Sequence, residues 1–348
     1  MIHERFQGNH YECGLRFGSS LAEYGNYILE QIPFPVTEER IQFAAACLPS
    51  YEKYFPEILE EIQGIAEGQK CLEEKLQAVL FSMYAMPPAC QCSCFAVANG
   101  AELLLGRNSD FLTELEDCNR NVQYRFSDGA LAFQGNTTSF VQMEDGVNEK
   151  GLAVGLTSVY PPSDASGVLV SPGLNAGLLL RFFLEKCRTV EEALGWLEKL
   201  PVSSAQTFTF ADAKGKIAVS ECFSGGRQVV RPEKEGRKER LFVCATNLFH
   251  SKELKRFQQP DIDSWVAEPR YQTMRRTLEA EAGQMRLSDA FDLLAGKKGF
   301  LCQYDRATGK DTVWSVVYDL KRRRIYRAEG NPSRCGFVEE EMPQGSSL

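Results

Sequence analysis

The chain has 348 residues, of which 43% are hydrophobic and 25% charged. That length suits one large domain or two ordinary ones, and the composition excludes disordered, collagen-like and coiled-coil classes. Thirty-nine Lys and Arg against 47 Asp and Glu leave a formal charge of -8; this argues against a nucleic-acid or anionic-membrane partner and leaves small acidic ligands open.

No apolar run is long enough to cross a bilayer, and the opening Met1–Gly8 lacks the apolar stretch of a secretory signal, so a cytoplasmic location is expected. Residues 1–91 read as a helical segment. Phe17, Leu21, Tyr24 and Ile28 step along one helical face. Pro56 opens a second helix, with Ile58, Ile62 and Ile65 on one side. Leu76, Val79 and Leu80 mark a third, stopped by Met86-Pro87-Pro88.

Beyond residue 90 the period falls to two and hairpins follow, each with a turn signal. Cys92–Ala98 and Ala101–Asn108 flank Asn99-Gly100. Gln123–Phe126 and Ala130–Phe133 flank Asp128-Gly129, and Phe140–Val147 and Leu152–Val159 flank Glu149-Lys150-Gly151. Thr207–Ala211 and Lys216–Glu221 flank Ala213-Lys214-Gly215. Helices are expected near 173–186, 189–199, 264–281 and 287–295, with Thr189 and Glu192 forming a capping box. A hairpin of Thr312–Asp319 and Arg324–Ala328 closes the chain, and the charged run Arg231–Arg240 reads as a solvated loop or hairpin end. This order predicts an α+β architecture, two facing sheets with helices outside both.

In a reducing compartment the 12 cysteines are core residues, metal ligands or nucleophiles. Cys187, Cys222 and Cys244 sit singly in apolar runs and read as core. Cys90-Gln91-Cys92-Ser93-Cys94 stands apart. A two-residue turn at Asn99-Gly100 would pair Ala98 with Ala101, placing Cys92 opposite Arg107 and Cys94 opposite Leu105. A neighbouring guanidinium favours the thiolate. Asp110 could accept from a cationic amine or orient Arg107. Spacing alone leaves core, nucleophile and metal ligand open, although zinc would want a second Cys pair and His is scarce: His3, His10 and His250.

Cys92-Ser93 followed by Gly106-Arg107-Asn108-Ser109-Asp110-Phe111 resembles the nucleophile strand and G-R-N-x-D-F signature of the choloylglycine hydrolase and penicillin acyltransferase group of N-terminal nucleophile hydrolases. The resemblance extends through Gly8 to Gly18 around Tyr11-Glu12, Asn148-Glu149-Lys150-Gly151-Leu152, Ala245-Thr246-Asn247, Arg270-Tyr271, Thr312-Val313-Trp314-Ser315 and Gly330-Asn331-Pro332. It implies a four-layer αββα sandwich over residues 92–348, preceded by the helical segment 1–91, a candidate propeptide or small subunit. The leading segment is similar to that of the acyl-coenzyme A:6-aminopenicillanic acid acyltransferase branch, whose precursors cleave themselves before the nucleophile; the matching bond here is Gln91–Cys92. Thr157, after Gly155-Leu156, stands where the bile-salt branch has an Asn, which weakens any inference of a bile-acid substrate.

The resemblance implies a role for each residue. Cys92 would attack an amide or thioester carbonyl, and its freed α-amine would act as the base. Asp110 would hold that amine and Arg107 would favour the thiolate. Asn247 would donate to the oxyanion, and Arg270 would support the region of Arg107 or meet a substrate carboxylate. The implied partner is a small acyl amide or thioester, with no cofactor and no metal. Two other classes stay open: an unprocessed ligand-binding protein on the same fold, and a metalloprotein using the cysteine cluster.

Overall fold

A computed structural model describes residues 1–86, 91–164, 167–232, 234–235, 238–259, 262 and 264–344. Cys90 and the Pro87-Pro88 break lie outside them. In chain order the strands are β1 (Ile2–Gly8), β2 (Gln91–Ala98), β3 (Leu103–Leu112), β4 (Arg120–Phe126), β5 (Phe133–Thr137), β6 (Asp145–Asn148), β7 (Leu152–Ser158), two-residue β8 (Ser163–Asp164) and β9 (Gly167–Val168), β10 (Gln206–Asp212), β11 (Ile217–Phe223), β12 (Gly226–Val230), two-residue β13 (Lys234–Glu235) and β14 (Lys238–Glu239), β15 (Phe242–Ala245), β16 (Lys310–Asp319), β17 (Arg324–Ala328) and β18 (Val338–Glu341). The helices are α1 (His10–Glu23), α2 (Ile28–Gln31), α3 (Glu38–Tyr54), α4 (Pro56–Gln69), α5 (Glu73–Ser82), α6 (Ala176–Lys186), α7 (Val190–Leu197), α8 (Lys252–Lys255), α9 (Ala267–Glu281) and α10 (Leu287–Leu294).

Two sheets carry the molecule. One has eight strands in the order β1-β4-β5-β6-β7-β10-β11-β12; the other has six, in the order β15-β2-β3-β16-β17-β18. They face each other through β2 and β3 on one side and β7 and β10 on the other. Helices α6 and α7 cover the outside of the first sheet, and α9 and α10 cover the second. This is the expected αββα layering. The sheets approach closely at Gly155, where an added Cβ would lie 2.5 Å from Cys94 Sγ. The sequence meets that approach by omitting a side chain.

The leading segment is not all helix. Ile2–Gly8 forms β1, paired in parallel with β4. Phe6 is its one buried residue, so the strand carries no alternation of apolar side chains to read. The face expected to run from Phe17 to Ile28 breaks at Tyr24, which is 81% exposed. Gly25, at φ +74°, ends α1, with its N–H on Ala22 O and the N–H of Asn26 on Leu21 O, a Schellman closure. Helix α3 has no counterpart in the sequence reading. Helices α1 and α4 pack through facing glycines, Gly14 and Gly18 against Gly64 and Gly68, where any Cβ would strike backbone.

The expected hairpins around Asp128-Gly129, Gly151 and Gly215 all form, with Phe133, Asp145 and Gln206 beginning strands. The first hairpin differs in register. Asn99 Oδ1 accepts from the N–H groups of Ala101 and Glu102, at 3.1 and 2.8 Å, and Asn99 N–H donates to Glu102 O. This makes a four-residue turn. Cys92 therefore pairs with Ser109, and Cys94 with Arg107. The slip is an even number of residues, so no side chain changes face. The final hairpin does not end the chain, because β18 adds to β17.

Candidate active site

Cys92 is fully buried in β2, between β15 and β3. Three of its groups are held by three residues that the sequence singled out. Its N–H donates to Asn247 Oδ1 at 2.9 Å, and its carbonyl accepts from Arg270 Nη1 at 2.6 Å. Its Sγ accepts from Arg107 Nη2 at 2.7 Å. Arg107 is not the directly opposed residue. It reaches the thiol along the strand diagonal, a distance that a long side chain spans.

Arg107 is wholly buried on the inner face of β3. Its Nε donates to Leu156 O at 2.9 Å, its Nη1 to Asp145 Oδ2 at 2.9 Å, and its Nη2 also to Glu144 Oε2 at 3.2 Å. Burial alone would discharge the guanidinium; Cys92, Asp145 and Glu144 outweigh it and hold the group cationic, well above its ordinary value. The two carboxylates are fixed in turn. Glu144 Oε1 accepts from Thr138 N–H and Oγ1, at 3.0 and 2.6 Å, and its Oε2 accepts from Ser109 Oγ. Asp145 accepts from Trp314 Nε1 at 3.0 Å, Tyr318 OH at 2.6 Å and Asn136 Nδ2 at 2.6 Å.

Asn247 follows β15. Both Cys92 N–H and Arg270 Nη2, the latter at 2.8 Å, are donors, so the Asn247 oxygen must face them. Its Nδ2 therefore points the other way and donates to Ser158 O at 2.8 Å. Asp110 is expected to hold the α-amine that cleavage would free; in the intact chain the Cys92 N–H donates to Asn247 Oδ1. Asp110 lies opposite Gln91 on the outer face of β3. It accepts from Thr312 Oγ1 at 2.6 Å and Tyr304 OH at 3.0 Å, and Arg270 Nη1 stands 3.4 Å away. Burial raises the Asp110 carboxyl above its ordinary value, against the pull of Arg270 and these hydrogen bonds.

Arg270 meets Cys92 at its carbonyl, as Arg107 meets it at the sulfur. It sits on α9 beyond the outer face and is fully buried. Besides Cys92 O and Asn247 Oδ1, it donates to Ser93 Oγ, Trp265 O and Ser264 O. The guanidinium is thus filled by the protein itself and touches Asp110 rather than Arg107. Trp265 and Val266, at φ +50° and +54°, hold a left-handed turn that non-glycine residues adopt at a cost; the bonds from Arg270 to Ser264 O and Trp265 O pin it. Thr157 Oγ1 bonds to Thr246 O at 2.8 Å and to Thr207 Oγ1, so it braces the residue before Asn247.

Burial pushes Cys94, Cys187 and Cys222 up to about 12, so these thiols stay protonated near neutrality. Glu144, Asp145, Tyr304 and Thr312 were not foreseen. Glu144-Asp145 carried one usable signal, two adjacent acids entering a strand that is otherwise buried. Such charges persist in a core only when paired.

A sequence model of the family described as acyl-coenzyme A:6-aminopenicillanic acid acyl-transferase matches residues 97–334, more than half of the chain. The match contains Arg107, Asp110, Asn247 and Arg270 and begins after Cys92. No curated protein matches the sequence. Among solved structures, penicillin V acylase from Agrobacterium tumefaciens is 16% identical, with a TM-score of 0.46 over 72% of this chain and 86% of that one. A Caenorhabditis elegans N-acylethanolamine-hydrolyzing acid amidase ortholog is 15% identical, with a TM-score of 0.46 over 66% of this chain and 93% of that one. A mutant conjugated bile acid hydrolase from Clostridium perfringens is 13% identical, with a TM-score of 0.42 over 74% and 98%. On the extent of the sequence match, the chain belongs to the acyl-coenzyme A:6-aminopenicillanic acid acyl-transferase family.

Proposed function

We propose that this protein is a cysteine hydrolase or acyltransferase that works on a linear amide or thioester through an acyl-Cys92 intermediate. The observation that carries the reading is the buried Arg107 guanidinium donating to Cys92 Sγ at 2.7 Å. A guanidinium at that distance stabilises a thiolate, and the thiolate is the nucleophile.

Maturation comes first. Cys92 Sγ adds to the Gln91 carbonyl carbon, the Gln91–Cys92 C–N bond breaks, and the Cys92 nitrogen takes the proton. The resulting thioester is hydrolysed by water, which leaves a carboxylate on Gln91 and a free thiol and α-amine on Cys92. Residues 1–91 become the smaller chain. An α-amine has a pKa of about 7.7–8.0, so it serves as base near neutrality, and Asn247 Oδ1 already accepts from that nitrogen.

In turnover the α-amine takes the thiol proton as the C–S bond to the substrate acyl carbon forms. The tetrahedral oxyanion collapses, the C–N or C–S bond to the leaving group breaks, and the proton leaves with that group. Water then cleaves the acyl thioester to the acid, or an amine accepts the acyl group. Asn247 Nδ2, which donates to Ser158 O at 2.8 Å in the intact chain, is the proposed donor to the oxyanion. Asp110 and Arg270 position the Cys92 backbone. The described cysteines are free thiols, which suits the reducing cytoplasm.

Rapid quench with an acyl p-nitroanilide and mass analysis tests the reading. The acyl mass is expected on the peptide that begins at Cys92. Burst release of p-nitroaniline with the adduct on any other residue would refute it.

A further inference from the structure

We infer that the proposed enzyme binds its acyl group in a cavity between residues 1–86 and the sheets, and that this cavity selects an uncharged apolar acyl group of about ten heavy atoms. The inference rests on the acyl-Cys92 reading. The cavity encloses about 300 Å³. Ile32, Phe34, Met83 and Tyr84 line it from the leading segment, and Phe111 and Phe140 from the core. At about 30 Å³ per heavy atom, the share of a water in the liquid, that space holds roughly ten.

Its position ties it to the thiol. Phe111 follows Arg107 and Ser109 on one face of β3, and Ser109 is the partner of Cys92. Thr138 also lines the cavity. It donates to Glu144, which shares Arg107 Nη2 with Cys92 Sγ. A short relay of hydrogen bonds therefore connects the cavity wall to the nucleophile. The one cation in the described lining, Arg120, is paired with Glu4 at 2.6 Å, which leaves no unpaired positive charge there to offset an acyl carboxylate. Because the leading segment supplies most of the apolar wall, it remains part of the working enzyme after cleavage.

Acyl p-nitroanilides from butyryl to palmitoyl, with 3-phenylpropanoyl and glutaryl, provide the test. In the wild type kcat/KM should peak near octanoyl and 3-phenylpropanoyl and fall at least tenfold at palmitoyl and glutaryl. Ile32 and Phe34 are half-buried in the connection between α2 and α3, so their substitution leaves both sheets intact. Ile32→Trp should lower octanoyl kcat/KM at least tenfold and butyryl less than threefold. Phe34→Ala should move the optimum to a longer chain. Octanamide titrated into the unprocessed Cys92→Ala chain separates the two claims. Binding that Ile32→Trp weakens tenfold supports the cavity even if no anilide is turned over, an outcome that would sink the acyl-Cys92 reading alone. An unchanged acyl profile in both wall variants, or octanamide binding indifferent to Ile32→Trp, would overturn the inference.

Discussion

At the scale of single residues, Arg107 and Asn247 divide the care of Cys92. Arg107 fixes the sulfur, and Asn247 fixes the nitrogen. Lys at position 107 would keep the charge but lose the planar fork that reaches Leu156 O, Asp145 and Glu144 together with the thiol. Arg107→Lys should therefore slow alkylation of Cys92 by iodoacetamide at pH 7 about fivefold or more in processed enzyme and shift its pH midpoint upward. Labelling read by peptide mass, with Cys94 as the internal slow thiol, checks this; equal rates in both proteins would remove Arg107 from the activation. In the proposed mechanism Asn247 acts when charge appears on the acyl oxygen. Asn247→Ala should cost roughly 10²–10³ in kcat per processed molecule, the range for one oxyanion donor. Its alkylation rate should stay near the wild-type value, because displacement on iodoacetamide creates no oxyanion. A loss below about fivefold, well short of that range, would make Asn247 a holder of the Cys92 nitrogen alone.

At the scale of elements, two local departures from regular strands build the site. The register of β16 on β3 shifts between Thr312 and Trp314. Across that bulge Thr312 faces out to Asp110 while Trp314 faces in to Asp145, although a regular strand would put them on one side. The other departure is the missing side chain at Gly155. Gly155→Ala should destabilise the fold by about 1–3 kcal/mol, as overpacking does. Adding Cys94→Ala should recover part of the loss by removing the sulfur that the new methyl meets. Denaturant midpoints of the single and double variants decide it, and strictly additive losses would contradict the assignment.

What the sequence made legible follows from the same physics. Turn dipeptides and period-two patterns located the hairpins, and the face shared by Cys92 and Arg107 survived the misjudged turn because the slip was even. Strand β1 escaped because it is an edge with one buried side chain, and α3 because its apolar residues are scattered. Glu144-Asp145 at the entry to β6, Tyr304 in a loop and Arg270 on α9 converge on the site from parts of the chain far apart in sequence, and no local pattern encodes their meeting. The outward placement of Arg270, filled by Cys92 O, Asn247 and Ser264 O, likewise depends on where α9 docks.

At the scale of the molecule, the leading segment is bound to the core by more than packing. His10 on α1 bonds to Asp128 at 2.7 Å and Glu185 at 2.9 Å. Arg181 on α6 bonds to Glu61 on α4 and to Glu185, both at 2.6 Å. Burial opposes a charge on His10, but Glu185 outweighs it and raises the imidazole to about 9. A folded-state value above the ordinary one means that the stabilisation is complete below about pH 6.5 and is lost as the pH rises through about 9. Wild type should thus lose about 1–3 kcal/mol of stability over that window, and His10→Gln should flatten the loss; a flat wild-type profile would refute the charge assignment. These contacts are expected to keep residues 1–91 in place once the chain is cut. The cut itself is the central claim, and intact mass of freshly purified wild type beside Cys92→Ala tests it most directly. Two chains, one ending at Gln91 and one beginning at Cys92, are predicted for the wild type, and a single full-length chain for the variant. A wild type that stays whole, or a variant that still divides at the same bond, would contradict the account.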